Sequence, residues 1–323
     1  MEGSNHEPQR RPMRSLLLIG SIIFLIYLLS RLFDHPQPTE RPQIQPWDGI
    51  RPLFPPPPWA GECRWTKVTI PDKEISPYPM CVMTEKDLIS EAILEKGNWD
   101  DCNQLLLMWK KSLLDHPSSN PVFVDIGANI GACSLLMLAA GVRVIAFEPV
   151  PDNQYYFSRS ILNSNWRDKI QLYPVGCGAD YSEHDIFLAP GNFGGTRLNA
   201  PFRNGKNITR KITIVPCQDL LWSDRSQPPP QIPLLKIDVE GLEVAAMNGL
   251  KELILSGAVK AIKSEIGILL RYQKTSASEY CRLLKELGFE LFDAHTNATL
   301  SDAVCRSYDK SDKITDLVGY WKG

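Results

Sequence analysis

The rhythm of hydrophobic and polar positions divides this chain into unlike stretches. Residues 15–33 read SLLLIGSIIFLIYLLSRLF, with Arg31 as the only charge. A helix of that length rises about 28 Å, close to the hydrocarbon thickness of a bilayer. Arg10, Arg11 and Arg14 precede it, and the positive-inside tendency then leaves residues 1–14 as a cytosolic tail. The sequence after the run, Ser-Arg-Leu-Phe-Asp-His-Pro, is a poor signal-peptidase site. The run therefore reads as an uncleaved transmembrane signal-anchor, ahead of a cleaved signal or a buried helix.

Residues 34–60 follow as a proline-rich stem that ends in Pro55-Pro56-Pro57-Pro58. Proline favours extended polyproline II, so the stem reads as a semi-rigid spacer. Residues 61–120 then form a helical cap. Its helices are expected at 85–96 and 99–114, the second carrying Leu105, Leu106, Trp109 and Leu113 at helical spacing behind Asp100 and Asp101.

From residue 121 onward short apolar runs alternate with helical patterns. Strands are expected at 122–126, 142–147, 170–175, 234–237, 258–265, 289–292 and 317–320. Helices are expected at 131–140, 152–163, 242–250 and 276–287. Continuous apolar strands between helices imply a mostly parallel seven-stranded sheet with helices on both faces, an α/β fold. The stretch from His184 to Leu221 reads as an insertion, with Gly194-Gly195 suited to a loop over a ligand.

Composition narrows the classes. Thirty-five basic against thirty-seven acidic residues leave a net charge of −2, which argues against a nucleic-acid binder. Eight cysteines suit an oxidising lumen. Cys63, Cys81 and Cys102 are the disulfide candidates, whereas Cys133 and Cys177, in apolar patterns, read as buried free thiols. No CxxC pair points to zinc, and no metal site is assigned. Sequons stand at Asn207 and Asn297. His184 and His295 read as packing or surface residues.

In a parallel sheet, ligands bind beyond the carboxyl ends of the strands. The first of these strands ends Asp125-Ile-Gly127-Ala-Asn129-Ile-Gly131 and the second ends Phe147-Glu148-Pro149. A glycine turn followed by an acid at this distance suits a nucleoside cofactor, with Glu148 on the ribose hydroxyls. The glycines do not follow GxGxxG, and Asp125 would repel a pyrophosphate but can hold an ammonium. Both points favour S-adenosylmethionine over a nicotinamide dinucleotide. Ala179 and Asp180 are placed to flank the adenine. The fourth strand ends Lys236-Ile-Asp238-Val-Glu240-Gly241 and the fifth ends near Glu265, so Asp238 and Glu265 should face one cavity.

The segments 125–131, Ala146-Phe-Glu-Pro149 and Leu235-Lys-Ile-Asp-Val-Glu-Gly241 resemble the FkbM family of S-adenosylmethionine-dependent methyltransferases over about residues 121–292. The resemblance implies a Rossmann-like methyltransferase fold for residues 121–323 and methylation of hydroxyls, often on sugars or polyketides. By position it implies that Asp125, Gly127, Asn129 and Gly131 line the methionine end of the cofactor. Glu148 would then hold the ribose, and Asp238 and Glu240 would sit at the reaction centre. Family members often carry a histidine two residues after the acid of the fifth strand; here Glu265-Ile-Gly267 has glycine.

Methyl transfer from a sulfonium is an in-line displacement that needs a placed acceptor and a base. Asp238 is expected as that base or its orienter, with Glu265 holding the acceptor hydroxyl. A divalent cation on the same acids is the competing chemistry. The five basic residues between Arg197 and Lys211, with no acid among them, suit either an anionic glycan or open solvent. Orientation supplies the rest of the expectation: a single-pass type II protein of the Golgi or endoplasmic reticulum, methylating a hydroxyl of a glycan in the lumen. A catalytically dead, membrane-tethered glycan binder and a nicotinamide-dependent oxidoreductase are the rivals.

Overall fold

The structure, a computed structural model, describes residues 43–57, 61–84, 87–189, 192–198 and 208–323. The chain divides after Ile44, and its second unit, Gln45–Gly323, holds every described strand and helix. The tail at 1–14, the expected membrane span at 15–33 and the first part of the stem lie outside the described residues. Among the described residues no helix is long and apolar enough to cross a membrane.

The cap opens with a hairpin that the sequence pattern hides. Strands β1 (Arg64–Val68) and β2 (Tyr78–Val82) pair antiparallel. Pro79 interrupts the β signal of β2, but proline is tolerated in an edge strand. A Cys63–Cys81 disulfide staples the hairpin. Helices Leu88–Lys96 and Asp100–Asp115 follow close to the expected positions. Asp87 caps the first, accepting from the Ser90 amide at 2.9 Å.

The core is a seven-stranded sheet. Its strands are β3 (Val122–Ile126), β4 (Arg143–Phe147), β5 (Ile170–Tyr173), β10 (Leu234–Ile237), β11 (Ala261–Gly267), β12 (Phe289–Asp293) and β13 (Ile314–Trp321), in the order β12-β13-β11-β10-β3-β4-β5. The run from β11 to β5 is parallel, and β13 lies antiparallel between β11 and β12. Every side chain of β3 is buried, up and down alternately, so both faces of the sheet are covered there. This is a mixed α/β, Rossmann-like fold with a mostly parallel sheet. The order in which successive strands are added reverses between β3 and β10, which makes their carboxyl ends the switch-point crevice.

Two regions depart from the sequence reading. The insertion is not a loop: β6 (Gly176–Cys177), β7 (Ser182–Ala189), β8 (Asn192–Leu198) and β9 (Ile208–Val215) form a second sheet in the order β6-β9-β7-β8. Ile212 and Ile214 are buried while Lys211 is exposed, the two-residue period of a half-covered strand. The end of the stem also differs from a free spacer. The Trp47 amide donates to the Leu172 carbonyl at 2.7 Å, and the Leu53 amide donates to Ser158 Oγ at 3.1 Å. Residues 45–57 thus lie along the domain and cover part of the edge strand β5, where unpaired backbone groups need a partner.

All eight cysteines are paired, as Cys63–Cys81, Cys102–Cys133, Cys177–Cys217 and Cys281–Cys305. The reading of Cys133 and Cys177 as free thiols is therefore corrected. Both are buried, but each meets a cysteine distant in sequence, and an apolar local pattern carries no information about such a partner.

Candidate active site

Backbone geometry closes the crevice between β3 and β10. The Asp238 amide donates to the Ile126 carbonyl at 3.0 Å. Gly127 has φ +81°, and a Cβ there would come within 1.8 Å of the Asp238 carbonyl oxygen. Only glycine permits that approach, so Gly127 sets how tightly the two strand ends meet. Gly131 (φ +87°) is required for a different reason: a Cβ would strike the Phe157 ring at 2.2 Å. Expected at the cofactor, it is off the cavity wall, and its glycine serves packing at the start of the Ala132–Ala139 helix.

The cavity above these strand ends has two unlike walls. At one end Glu148 accepts from the amides of Asn129 (2.7 Å) and Val150 (2.9 Å) and from Asn153 Nδ2 (3.2 Å). Asn129 (φ +54°) turns the chain so that its amide reaches Glu148. Burial pushes the Glu148 carboxyl up to about 7 against these hydrogen bonds. The roof there is apolar, built from Ile186, Leu198, Ile212 and Ile214 of the second sheet and from Leu88 and Ile89 of the cap. Gly176 and Cys177 line it as well. Ala179 and Asp180, expected to flank the adenine, are exposed and off the cavity wall. The chain leaves the main sheet at Gly176 to join β9, so the turn that carries them swings outward.

The opposite end is acidic. Asp238 and Glu265 line it, as the strand ends predict, and Glu240 lines it beside them. Asp125 does not: its carboxylate is fully buried, accepts from Ser134 Oγ at 2.7 Å and lies 3.3 Å from Lys236 Nζ. The carboxylate expected to hold the cofactor's ammonium is thus set back from the cavity wall, with Oδ2 on Ser134 and Oδ1 facing Lys236 in an ion pair. Lys236 is what the sequence reading missed. Its ammonium also lies 3.2 Å from Asp238 Oδ2 and 3.3 Å from the Gly127 carbonyl. Burial alone would lower its pKa; the two carboxylates outweigh burial and raise it. A lysine within an apolar strand whose side chain is 11% exposed was the available signal, since such a charge needs partners.

Glu240 takes φ +55°, and burial with Asp238 and Glu243 nearby pushes its carboxyl up to about 8. Burial, then Asp238 and Glu240, raise Glu265 to about 10. Glu265 Oε2 is buried without a hydrogen-bond partner. Glu243, also missed, accepts from the amides of Val239 and Gly241 and so fixes the loop that carries Asp238 and Glu240. Lys263, paired with Asp316, and Asp101 of the cap complete this wall. Gly267, where the family pattern suggests histidine, has φ +145°, and a Cβ would lie 2.2 Å from the Lys313 carbonyl oxygen. That position has no room for a side chain.

Residues 125–291, more than half of the chain, match the methyltransferase FkbM domain. The chain belongs to the FkbM methyltransferase family. Solved structures similar to this methyltransferase include a TehB-like SAM-dependent methyltransferase from Corynebacterium glutamicum, with 10% identity over 72% of this chain and 94% of that one and a TM-score of 0.37. A SAM-dependent methyltransferase from Agrobacterium tumefaciens shares 8% over 80% and 70%, with a TM-score of 0.39. A precorrin-6y C5,15-methyltransferase from Geobacter metallireducens shares 10% over 79% and 97%, with a TM-score of 0.35. No curated protein matches the chain.

The cavity of this methyltransferase suits S-adenosylmethionine. Two lining oxygens, Asn153 Oδ1 beside Glu148 and Glu265 Oε2 at the far end, are buried and unpartnered. Carboxyl groups at both ends and a glycine floor suit a cation that carries hydroxyls, not a pyrophosphate. Among the described residues no group of three or more His, Cys, Asp or Glu is arranged to hold a metal ion.

Proposed function

We propose that the chain transfers the methyl group of S-adenosylmethionine to a hydroxyl of a glycan in the secretory lumen. The observation that carries the reading is the meeting of Asp238 and Glu265, from the carboxyl ends of β10 and β11, on one wall of the cavity. Bound there, the cofactor supplies an electrophilic methyl. Glu148, Asn129 and Asn153 would hold its ribose end, and Gly127 and Asn129 its methionine end. Glu265 keeps its proton at neutral pH, so it orients an acceptor hydroxyl by hydrogen bonding and is not the base. Asp238, ion-paired to Lys236 and 36% exposed at its side chain, is left to accept the hydroxyl proton. Glu240 borders the same space and holds the far side of the acceptor.

The luminal setting draws support from four disulfides that use every cysteine. The sequon residue Asn297 is exposed on a turn. The reading places residues 15–33 in the membrane as a signal-anchor of the Golgi or endoplasmic reticulum. The test is transfer of labelled methyl from S-adenosylmethionine to a panel of glycans by the secretory-expressed full chain. Label on a sugar oxygen supports it. Label only on nitrogen or protein overturns it.

A further inference from the structure

The acidic end of the cavity holds two cations, and neither is free. Lys236 directs its ammonium at Asp125, Asp238 and the Gly127 carbonyl. Lys263, with a side chain 7% exposed, is paired with Asp316. Among the described residues that line the cavity there is no other basic side chain. At this end three lining carboxyls stand outside any ion pair, Asp101, Glu240 and Glu265, and of these Glu240 and Glu265 hold their protons at neutral pH. Of the basic run that could have met an acidic sugar, Arg210 and Lys211 are directed elsewhere. Arg210 grips Asp152 through Nε and Nη2 at 2.7 and 2.8 Å, and Lys211 lies 3.5 Å from Asp185.

Asp101 comes from the cap, not from the family domain. It stands in the first turn of the Asp100–Asp115 helix, exposed, near Asp238, Asp316, Lys263 and His295. The cap therefore adds a carboxyl to the same wall as Asp238.

We propose that the acceptor is an uncharged sugar and that Asp101 is the residue that excludes acidic ones, glycuronates and sugar sulfates. The inference rests on the glycan-methylating reading above and narrows it. Among the described lining residues an anionic sugar entering this end finds no free cation, and its charge adds to that of Asp101 on the cavity wall. Specificity of this kind is built from repulsion as much as from attraction. A neutral sugar has the opposite effect. Its hydroxyls supply the donor and acceptor that Glu265 Oε2 lacks and bridge the remaining carboxyls without adding charge.

The experiment uses the full chain, labelled S-adenosylmethionine, and matched p-nitrophenyl hexosides and glycuronides that differ only in a hydroxymethyl or carboxylate at C6. Hexosides are expected to show kcat/KM at least 100-fold above the glycuronides. Asp101→Asn, and separately Asp101→Ser, should narrow that gap to under 10-fold through the KM of the glycuronide. S-adenosylhomocysteine binding in the same preparations reports that each variant is folded. Equal transfer to both members of a pair, or a gap unchanged in folded Asp101 variants, overturns the proposal while leaving glycan methylation standing. Cofactor binding with no label on any sugar removes the glycan reading, and this inference with it.

Discussion

The two ends of one cavity are built on opposite principles. At the Glu148 end the carboxylate is held by three of the protein's own donors and roofed by isoleucines and leucines. At the Asp238 end, acids crowd together, an oxygen of Glu265 has no partner, and Glu240 sits in a left-handed backbone conformation. A carboxylate held by three donors is fixed in place, even with Asn153 Oδ1 beside it left unpartnered. An unsaturated one costs stability and is tolerated where it serves binding or chemistry. The difference separates a preformed grip on the cofactor from a reactive end completed by ligand.

The sharpest way to break that division is to change one carboxyl at each end. Asp238→Asn should lower kcat at least 100-fold with little change in the Kd for S-adenosylhomocysteine. Glu148→Ala should do the reverse, weakening that Kd by about 10–100-fold, the worth of hydrogen bonds to a charged group. If both variants shift Kd and kcat alike, the ends do not have separate tasks.

Lys236 ties Asp238 to Asp125 of the sheet, and its loss tests the acidic end as a structural burden. Lys236→Met leaves the fully buried Asp125 without its cation. Breaking such a pair typically costs about 3–5 kcal/mol, read as a lower midpoint in urea. A variant as stable as the parent would show that Asp125 is satisfied by Ser134 alone.

The smallest effect expected is a slope with pH. Glu240 and Glu265 keep their protons in the folded chain up to about 8 and about 10, against 4.5 for an ordinary glutamate. In that window the folded chain binds more protons than the unfolded one, so stability falls as pH rises. The Tm of the cofactor-free protein should decline from pH 6 to pH 9, on the order of a few degrees. Glu265→Gln should flatten the decline. A Tm that rises over this range would sink the account of a strained acidic wall.

Much of this was legible in the order of residues. Strand β3 was read residue for residue, because a β-rich run with four apolar residues in five, between a proline and a glycine turn, leaves little else for the chain to do. Asp238 and Glu265 are expected on one cavity and both line it, because the end of a parallel strand points to a known side of the sheet. The remainder depended on distance in space. Asp125 has the same local sequence whether it meets a ligand or Lys236, and only the register of β3 against β10 puts that ammonium beside it. Cys133 looks like any buried cysteine until the cap helix brings Cys102 to it. Asp101 reads as a helix-start residue, and the packing of the cap puts it on the cavity wall. Local propensity and periodicity are written in neighbouring residues, whereas ion pairs, disulfides and cavity walls arise between residues far apart in the chain. The sequence by itself therefore determined the sheet, its strand ends and the cofactor class they suit, and the tertiary structure alone decided which carboxyls are free to act.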